Sequence, residues 1–140
     1  MSQNQIMDIL QKAKTVAVVG LSKEPEKDSN RVSFYLQKHG YRIIPVNPFA
    51  DEVLGEKCYK SLLDIPLEIQ KTLDIVDIFR RAEDVPPVVE QSIQLKAMIG
   101  KSLVVWMQLG IINEQAAEAA RRAGLIVVMD SCLMIEHHRL

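Results

Sequence analysis

The stretch VVGLSKEPEKDSNRV, residues 18–32, combines residue types that bind phosphate groups. Gly20 follows an apolar run, and a glycine lets the backbone turn and approach a ligand closely. Ser22, Ser29 and the free N–H groups at the start of the next helix supply hydrogen-bond donors for a phosphate or pyrophosphate. Lys27 and Arg31 add positive charge. The segment therefore predicts an anion-binding loop, although the interleaved Glu and Asp residues also fit a solvated loop of mixed charge.

This loop differs from the glycine-rich turn of dinucleotide-binding folds, which has three glycines in the pattern G-x-G-x-x-G. The next apolar run ends in Val46-Asn47-Pro48. It lacks the carboxylate that binds the adenosine ribose about 20 residues beyond that turn in NAD-binding proteins. Asn47 suits a ribose or a base edge, and Pro48 fixes the turn; ordinary turn chemistry is the alternative. A conventional NAD site is therefore disfavoured.

The third apolar run ends in Phe79, Arg80 and Arg81. A guanidinium group matches the oxygens of a phosphate, and Phe79 offers an apolar face for an adenine. In the alternative interpretation Phe79 is a core residue and the arginines pair with Glu83 and Asp84. We interpret Arg80 as functional and leave Phe79 open between the two.

Five apolar runs position these residues. The runs are continuous and rich in β-branched side chains, which is typical of strands buried on both faces of a parallel sheet, and helical patterns lie between most of them. The pattern predicts a single α/β domain with a Rossmann-like, doubly wound, parallel five-stranded sheet in the order 3-2-1-4-5. The predicted strands are residues 15–19, 41–46, 73–79, 103–107 and 125–129.

Four helices are predicted between or before these strands: residues 3–13, a helix from an N-cap at Ser29 or Asn30 to Gly40, residues 86–98, and residues 114–123 after an N-cap at Asn113. Ligands of open parallel sheets bind beyond the carboxyl ends of the strands, where the strand order reverses. The polar residues described above follow those ends, so we expect them to share one edge of the sheet.

Composition excludes several classes of function. The 140 residues carry a formal net charge of −1, with 25% charged and 48% hydrophobic residues, whereas nucleic-acid binders usually show a basic excess. No apolar run approaches the ~18 residues of a membrane span, and the N-terminus lacks a signal-peptide pattern. Two distant cysteines, Cys58 and Cys132, predict reduced thiols in a cytoplasmic protein.

An ordered set of motifs adds a family resemblance. The stretches VVGLS, GYRIIPVNP, EVLGEKCY, DIVDIFRR, VVWMQLG, AGLIVVMD and CLMIEHHRL resemble those of the small stand-alone CoA-binding proteins. These proteins are similar to the N-terminal, CoA-binding domain of the succinyl-CoA synthetase α subunit. The resemblance extends from about Lys14 to Leu140, and it implies a Rossmann-like fold that binds coenzyme A.

The resemblance also implies positions that bind the ligand. They are Gly20, Leu21 and Ser22 in the phosphate-side loop, Lys27, Ser29 and Arg31 at the helix start, Asn47 and Pro48 in the turn after the second strand, and Ile78, Phe79 and Arg80 beside the adenosine. Phe49 departs from the family pattern, which often has a basic or polar residue there. Lys27, Arg31 or Arg80 must then supply that charge. Leu21 and Leu109 are candidates for the pantetheine groove.

We predict no catalysis and no metal site. The synthetase α subunit uses a phosphorylated histidine of a second domain, and this chain ends where that domain would begin. His137 and His138 are neighbours rather than the i, i+4 pair of a helical metal site, and they predict a solvated or interfacial tail. His39 suits a helix C-terminus. No nucleophile–base–orienter set is recognisable.

The leading hypothesis is therefore non-catalytic binding of CoA or an acyl-CoA. An NAD(P)-dependent oxidoreductase on the same fold is one alternative, and a detached subunit that completes a CoA-dependent enzyme in trans is another. A third alternative is a CoA–thiol redox sensor that forms a mixed disulfide through Cys132 or Cys58. We expect no nucleic-acid or membrane partner; a homodimer is compatible with these hypotheses but not required by them.

Overall fold

Seven strands form in the computed structural model, which describes residues 1–140. In chain order they are β1 (Thr15–Val19), β2 (Arg42–Val46), β3 (Glu52–Val53), β4 (Glu56–Lys57), β5 (Ile75–Ile78), β6 (Val104–Met107) and β7 (Ile126–Val128). All but β3 and β4 build one parallel sheet, and those two make a separate hairpin. The continuous apolar runs become strands with almost every residue buried, as the predicted parallel sheet requires.

Helices cover both faces of this sheet. They are α1 (Gln3–Lys12), α2 (Asp28–Lys38), α3 (Leu67–Gln70), α4 (Val85–Ile99), α5 (Glu114–Arg122) and α6 (Leu133–His138), with 3-10 turns at Leu62–Asp64 and Ala82–Asp84. Helices α1, α2 and α6 pack on one face and α4 and α5 on the other, so two hydrophobic cores enclose the sheet. The predicted Rossmann-like α/β class is confirmed. None of the helices has the length and apolar character needed to cross a bilayer.

The strand order corrects the predicted 3-2-1-4-5. The observed order is β2-β1-β5-β6-β7, which is 2-1-3-4-5 when the five sheet strands are counted alone. Strand β5 pairs with β1 on the side opposite β2. Burial on both faces predicts a central strand but not its neighbours, so the apolar pattern could not distinguish the two orders. The strand order therefore reverses between β1 and β5, and this is where a ligand site is expected.

Two local expectations also change. Helix α2 begins at Asp28 with Lys27 as its N-cap, whereas Ser29 and Asn30 lie within its first turn and are buried. Their side chains bond the preceding loop instead of capping the helix. Residues 135–139, expected to be a solvated or interfacial tail, are mostly helical, since α6 extends to His138; Ile135, His138 and Arg139 are exposed, whereas Glu136 is buried.

Candidate functional site

Gly20 directly follows β1, at the edge of the sheet where the strand order reverses. Its φ is +88°, and a Cβ built on it would lie 2.2 Å from the carbonyl oxygen of Phe79. Its N–H donates to the carbonyl of Val46 at 2.8 Å. Because a real Cβ never approaches an oxygen so closely, only glycine lets the chain pass between the ends of β2 and β5 here. The side chain of Arg80 lies beside this glycine, with its Cδ 3.2 Å from the same hypothetical Cβ.

Three side chains fix the loop that follows Gly20. Ser29 Oγ accepts from the N–H of Ser22 at 3.0 Å, and Asn30 Nδ2 donates to the carbonyl of Ser22 at 2.8 Å. From the other side, Asn47 Nδ2 donates to the carbonyl of Leu21 at 2.9 Å. The loop is therefore held in one conformation by α2 and by the turn after β2, which prepares its backbone for a ligand.

A cavity of about 620 Å³ lies beyond the carboxyl ends of β1, β5 and β6, between α2 and α6. The structure brings most of the predicted site residues to this cavity. Its lining is Gly20, Ser22, Lys27, Asp28, Ser29, Arg31, Val32, Phe79, Arg80, Arg81, Gln108, Leu109, Ile111, Cys132, Met134 and Ile135. Phosphate-binding residue types occupy the end near α2, and apolar residues occupy the end near α6.

Four predicted residues do not line this cavity. Leu21 and Ile78 are fully buried in the core. Asn47 uses both polar ends of its side chain locally, since its Oδ1 accepts from the N–H of Phe49 at 2.9 Å while its Nδ2 holds the loop. Pro48 lines a neighbouring cavity of about 210 Å³. Gly20 and Arg80 line both cavities, so the two cavities meet at the turn that Gly20 makes after β1.

Two cations at the site have no carboxylate partner. Lys27 and Arg80 form no ion pair, whereas Arg31 pairs with Asp28 and Arg81 pairs with Asp84 at 3.1 Å. The alternative considered for both arginines thus applies to Arg81 but not to Arg80. Helix α2 also begins without a side-chain cap, which leaves the N–H groups of its first turn free for an anion. The site therefore combines free positive charge with free donors.

Helix α6 contributes to the cavity in a way that was not predicted from the sequence. Its Met134 and Ile135 line the cavity opposite α2, and the apolar run CLMI after the last strand was the signal that could have predicted a packed helix. The histidines lie elsewhere. Tyr35 and His137 join α2 to α6 through a 2.9 Å hydrogen bond between the Tyr35 hydroxyl and His137 Nδ1, and His39 stacks on Tyr35. None of the three histidines lines the cavity.

Beneath the cavity is a buried polar pair, Asp77 and Gln108. The Asp77 side chain is fully buried on β5, and its Oδ1 accepts from Gln108 Nε2 at 2.8 Å, while its Oδ2 has no partner. Burial raises the pKa of Asp77 from 3.8 to about 8, against the opposing effect of the bonds from Gln108 and from the backbone of Ile78. This raised pKa favours the protonated, neutral carboxyl group at pH 7.

Hydrogen bonds join β6 and the turn after it to the turn after β7. Trp106 Nε1 donates to the carbonyl of Ser131 at 2.8 Å, and Asp130 Oδ1 accepts from the N–H of Gly110 at 2.7 Å. Asp130 adopts a positive φ of 54°, a conformation that aspartate tolerates better than most residues. These bonds hold the turn after β6, which carries Gln108 and Leu109, against the turn after β7.

Comparison with known proteins gives consistent matches. A family profile described as a CoA binding domain matches residues 14–138. The uncharacterized protein YneT of Bacillus subtilis is 43% identical over 136 residues, covering 97% of this chain and 94% of YneT. A solved hypothetical protein from Pyrococcus horikoshii OT3 is 44% identical, with a TM-score of 0.89 over 100% of this chain and 92% of that one.

A longer relative is the ADP-forming acetate–CoA ligase II of Archaeoglobus fulgidus. It is 37% identical over 111 residues, which are 78% of this chain but 16% of the ligase. The match is therefore to one part of that enzyme.

Asp77→Asn should stabilise the protein increasingly as pH rises. The unfolded carboxyl ionises near 3.8 and the folded one near 8, so between these values the wild type loses up to about 1.4 kcal/mol of its free energy of unfolding per pH unit. An amide keeps the acceptor for Gln108 and does not ionise. Urea denaturation at pH 5, 6, 7, 8 and 9 should show a gap that widens to about pH 8 and then levels.

The matched control is Asp8→Asn, which changes an exposed carboxylate paired with Lys12 at 3.2 Å. It should shift the free energy of unfolding by no more than about 0.5 kcal/mol at neutral and higher pH. A gap between wild type and Asp77→Asn that is independent of pH would contradict a neutral Asp77.

Proposed function

Since the chain belongs to the CoA binding domain family, we propose that it binds coenzyme A or an acyl-CoA, without catalysis, in the cavity between α2 and α6. One observation carries the proposal: the unpaired cations Lys27 and Arg80 flank the Gly20 turn at the point where the strand order reverses. An anionic ligand in this place is stabilised by charges that no protein carboxylate already neutralises.

The phosphate groups lie at the end of the cavity near α2. There the uncapped start of α2, the hydroxyl of Ser29 and the cations Lys27 and Arg80 supply donors and charge. Arg80 also borders the neighbouring cavity that Pro48 and Lys60 line. The adenosine and its 3′-phosphate lie on that side, so that Arg80 stands between the two phosphate-bearing regions. These local cations explain how a chain of net charge −1 binds a polyanion.

The pantetheine arm lies at the end near α6. Leu109, Ile111, Met134 and Ile135 give this part of the cavity an apolar wall. An apolar groove with few polar groups suits a flexible, mostly apolar arm. Of the two leucines considered for this groove, Leu109 faces the cavity, whereas Leu21 is buried beneath it.

Binding without catalysis is favoured by the residues at the cavity. No histidine lines it, and Asp77 lies below its surface. We do not propose the ligase activity of the longer relative for this chain, because the match covers 16% of that protein. A subunit that completes such an enzyme in trans remains an alternative, which a native pull-down tests. The NAD(P) alternative is disfavoured because the loop after β1 lacks the second and third glycines of the dinucleotide pattern and β2 ends in Asn47 rather than a carboxylate.

Calorimetric titration tests the ligand class. CoA and acetyl-CoA should bind with comparable affinity, dephospho-CoA more weakly, and NAD weakly or not at all. Arg80→Ala should weaken CoA binding by roughly 10- to 100-fold, the range for one charge-assisted phosphate contact. It should weaken dephospho-CoA binding less, because Arg80 stands near the 3′-phosphate.

Arg122→Ala is the matched control for this titration. Arg122 is an exposed arginine on α5 that pairs with Glu118 at 3.2 Å and lines neither cavity. Its removal should leave CoA affinity within twofold. Binding of NAD without any response to CoA would overturn the proposed function.

A redox role is a second candidate, favoured by the position of Cys132 in the cavity wall. In this role the Cys132 thiolate attacks a CoA disulfide, a Cys132–CoA disulfide forms, and the other CoA leaves as a thiolate that takes up the proton released by Cys132. Cys58 lies outside the cavity, its Sγ donates to the carbonyl of Asn47 at 3.5 Å, and burial raises its pKa. These three features disfavour attack by Cys58.

Incubation with CoA disulfide followed by intact-mass measurement separates the two cysteines. The wild type and Cys58→Ser should gain one CoA, removable by dithiothreitol, and Cys132→Ser should gain none. Peptide mapping should place the adduct on Cys132. An adduct on Cys58, or no adduct on a protein that binds CoA by calorimetry, would reject the redox role and leave the binding proposal intact.

A further inference from the structure

The pair of Asp77 and Gln108 is an unusual element of this core. Asp77 stands opposite Val18 of β1 and Trp106 of β6 in the sheet register, where an apolar side chain would pack without unsatisfied polar atoms. Instead its Oδ2 is buried without a partner, which opposes folding. Packing alone therefore does not explain an aspartate at this position, and the side chain that hydrogen-bonds it, Gln108, lines the cavity.

Gln108 is placed to present one polar atom to a ligand. The residue is 3% exposed and lines the cavity. Because its Nε2 donates to Asp77 Oδ1 at 2.8 Å, its Oε1 is the polar atom left for the cavity. With the Asp77 proton on Oδ2, which has no partner, Oδ1 remains the acceptor that holds Nε2; without Asp77 the amide could present either its oxygen or its nitrogen to the cavity. The pair thus fixes a hydrogen-bond acceptor at the floor of the site.

The surroundings make this acceptor selective. Leu109, Ile111 and Cys132 line the same cavity, and apolar lining residues do not compete with Oε1 for a donor on the ligand. The turn that carries Gln108 is fixed by the bond from Gly110 to Asp130. A rigid acceptor in an apolar wall discriminates strongly against ligands that lack the matching donor, because it then stays unpaired.

We propose that Gln108 Oε1 accepts a hydrogen bond from an amide N–H of the pantetheine arm, and that Asp77 is the positioning residue that fixes the orientation of the Gln108 amide. This inference rests on the proposed function and specifies how the arm is recognised. Amide N–H groups are the regularly spaced donors of that arm, and the apolar end of the cavity is where the arm lies. Asp77 acts through Gln108 and does not contact the ligand.

The test compares CoA with adenosine 3′,5′-bisphosphate, which carries phosphates and adenine but no amide arm. Calorimetric titration of Gln108→Met should show CoA affinity lowered roughly three- to tenfold, the effect of one hydrogen bond, with affinity for the bisphosphate unchanged. Gln115→Met is the matched control, because Gln115 is exposed on α5 and outside the cavity. It should change neither affinity.

The positioning role is tested by two changes at Asp77. Asp77→Leu removes the acceptor for Nε2 and should weaken CoA binding about as much as Gln108→Met does, again without affecting the bisphosphate. Asp77→Asn keeps a carbonyl acceptor and should retain CoA affinity within twofold. This rescue separates positioning from a general loss of core packing, and the Gln108 and Asp77→Asn variants decide the matter even if Asp77→Leu fails to fold.

The outcomes are distinguishable. Equal loss of CoA and bisphosphate affinity in Gln108→Met, or no loss of either, would overturn the inference while leaving CoA binding intact. Loss of CoA affinity in Asp77→Asn as large as in Gln108→Met would overturn the positioning role. A wild-type protein that binds neither ligand would overturn the proposed function, and the inference with it.

Discussion

The close approach of two strand ends at Gly20 is the constraint on which the rest of the site depends. A Cβ at this position would lie 2.2 Å from the carbonyl of Phe79, so the ends of β1 and β5 can meet only because glycine has none. That approach brings Arg80 over the turn and places the loop with Ser22 beside the start of α2. Three side chains from α2 and the turn after β2 then hold the loop. The absence of a side chain at Gly20 thus lets the turn pass close to Phe79, and the bonds from α2 and from the turn after β2 hold the loop that follows.

Much of this could be predicted from the sequence, because it depends on local chemistry. Apolar β-branched runs predicted the five sheet strands, and residue types at strand ends predicted the cavity residues Lys27, Ser29 and Arg80. The strand order could not be predicted in the same way, since burial on both faces does not specify neighbours. The role of Asn47 in holding the loop could not be predicted from the sequence either. Its residue type fits a ligand contact, but its partner, the carbonyl of Leu21, is 26 residues away in sequence.

Charge at the site is governed by pairing rather than by composition. The chain has almost equal numbers of acidic and basic residues, yet Arg80 and Lys27 lack carboxylate partners, whereas the adjacent Arg81 and Arg31 are paired. Two neighbouring arginines in one motif therefore differ in electrostatic availability. The distinction comes from the 3-10 turn at Ala82–Asp84, which turns Asp84 back toward Arg81.

The hydrogen bond from Trp106 to Ser131 has a spectroscopic consequence. Trp106 is the only tryptophan in the chain, is fully buried, and lies under the turns that carry Gln108 and Cys132. Its indole is thus a built-in fluorophore with no competing tryptophan emission. Blue-shifted emission from this one residue reports the intact core. Because its N–H donates to Ser131 in the turn that leads to the cavity, a change in that turn should alter Trp106 fluorescence without any added label.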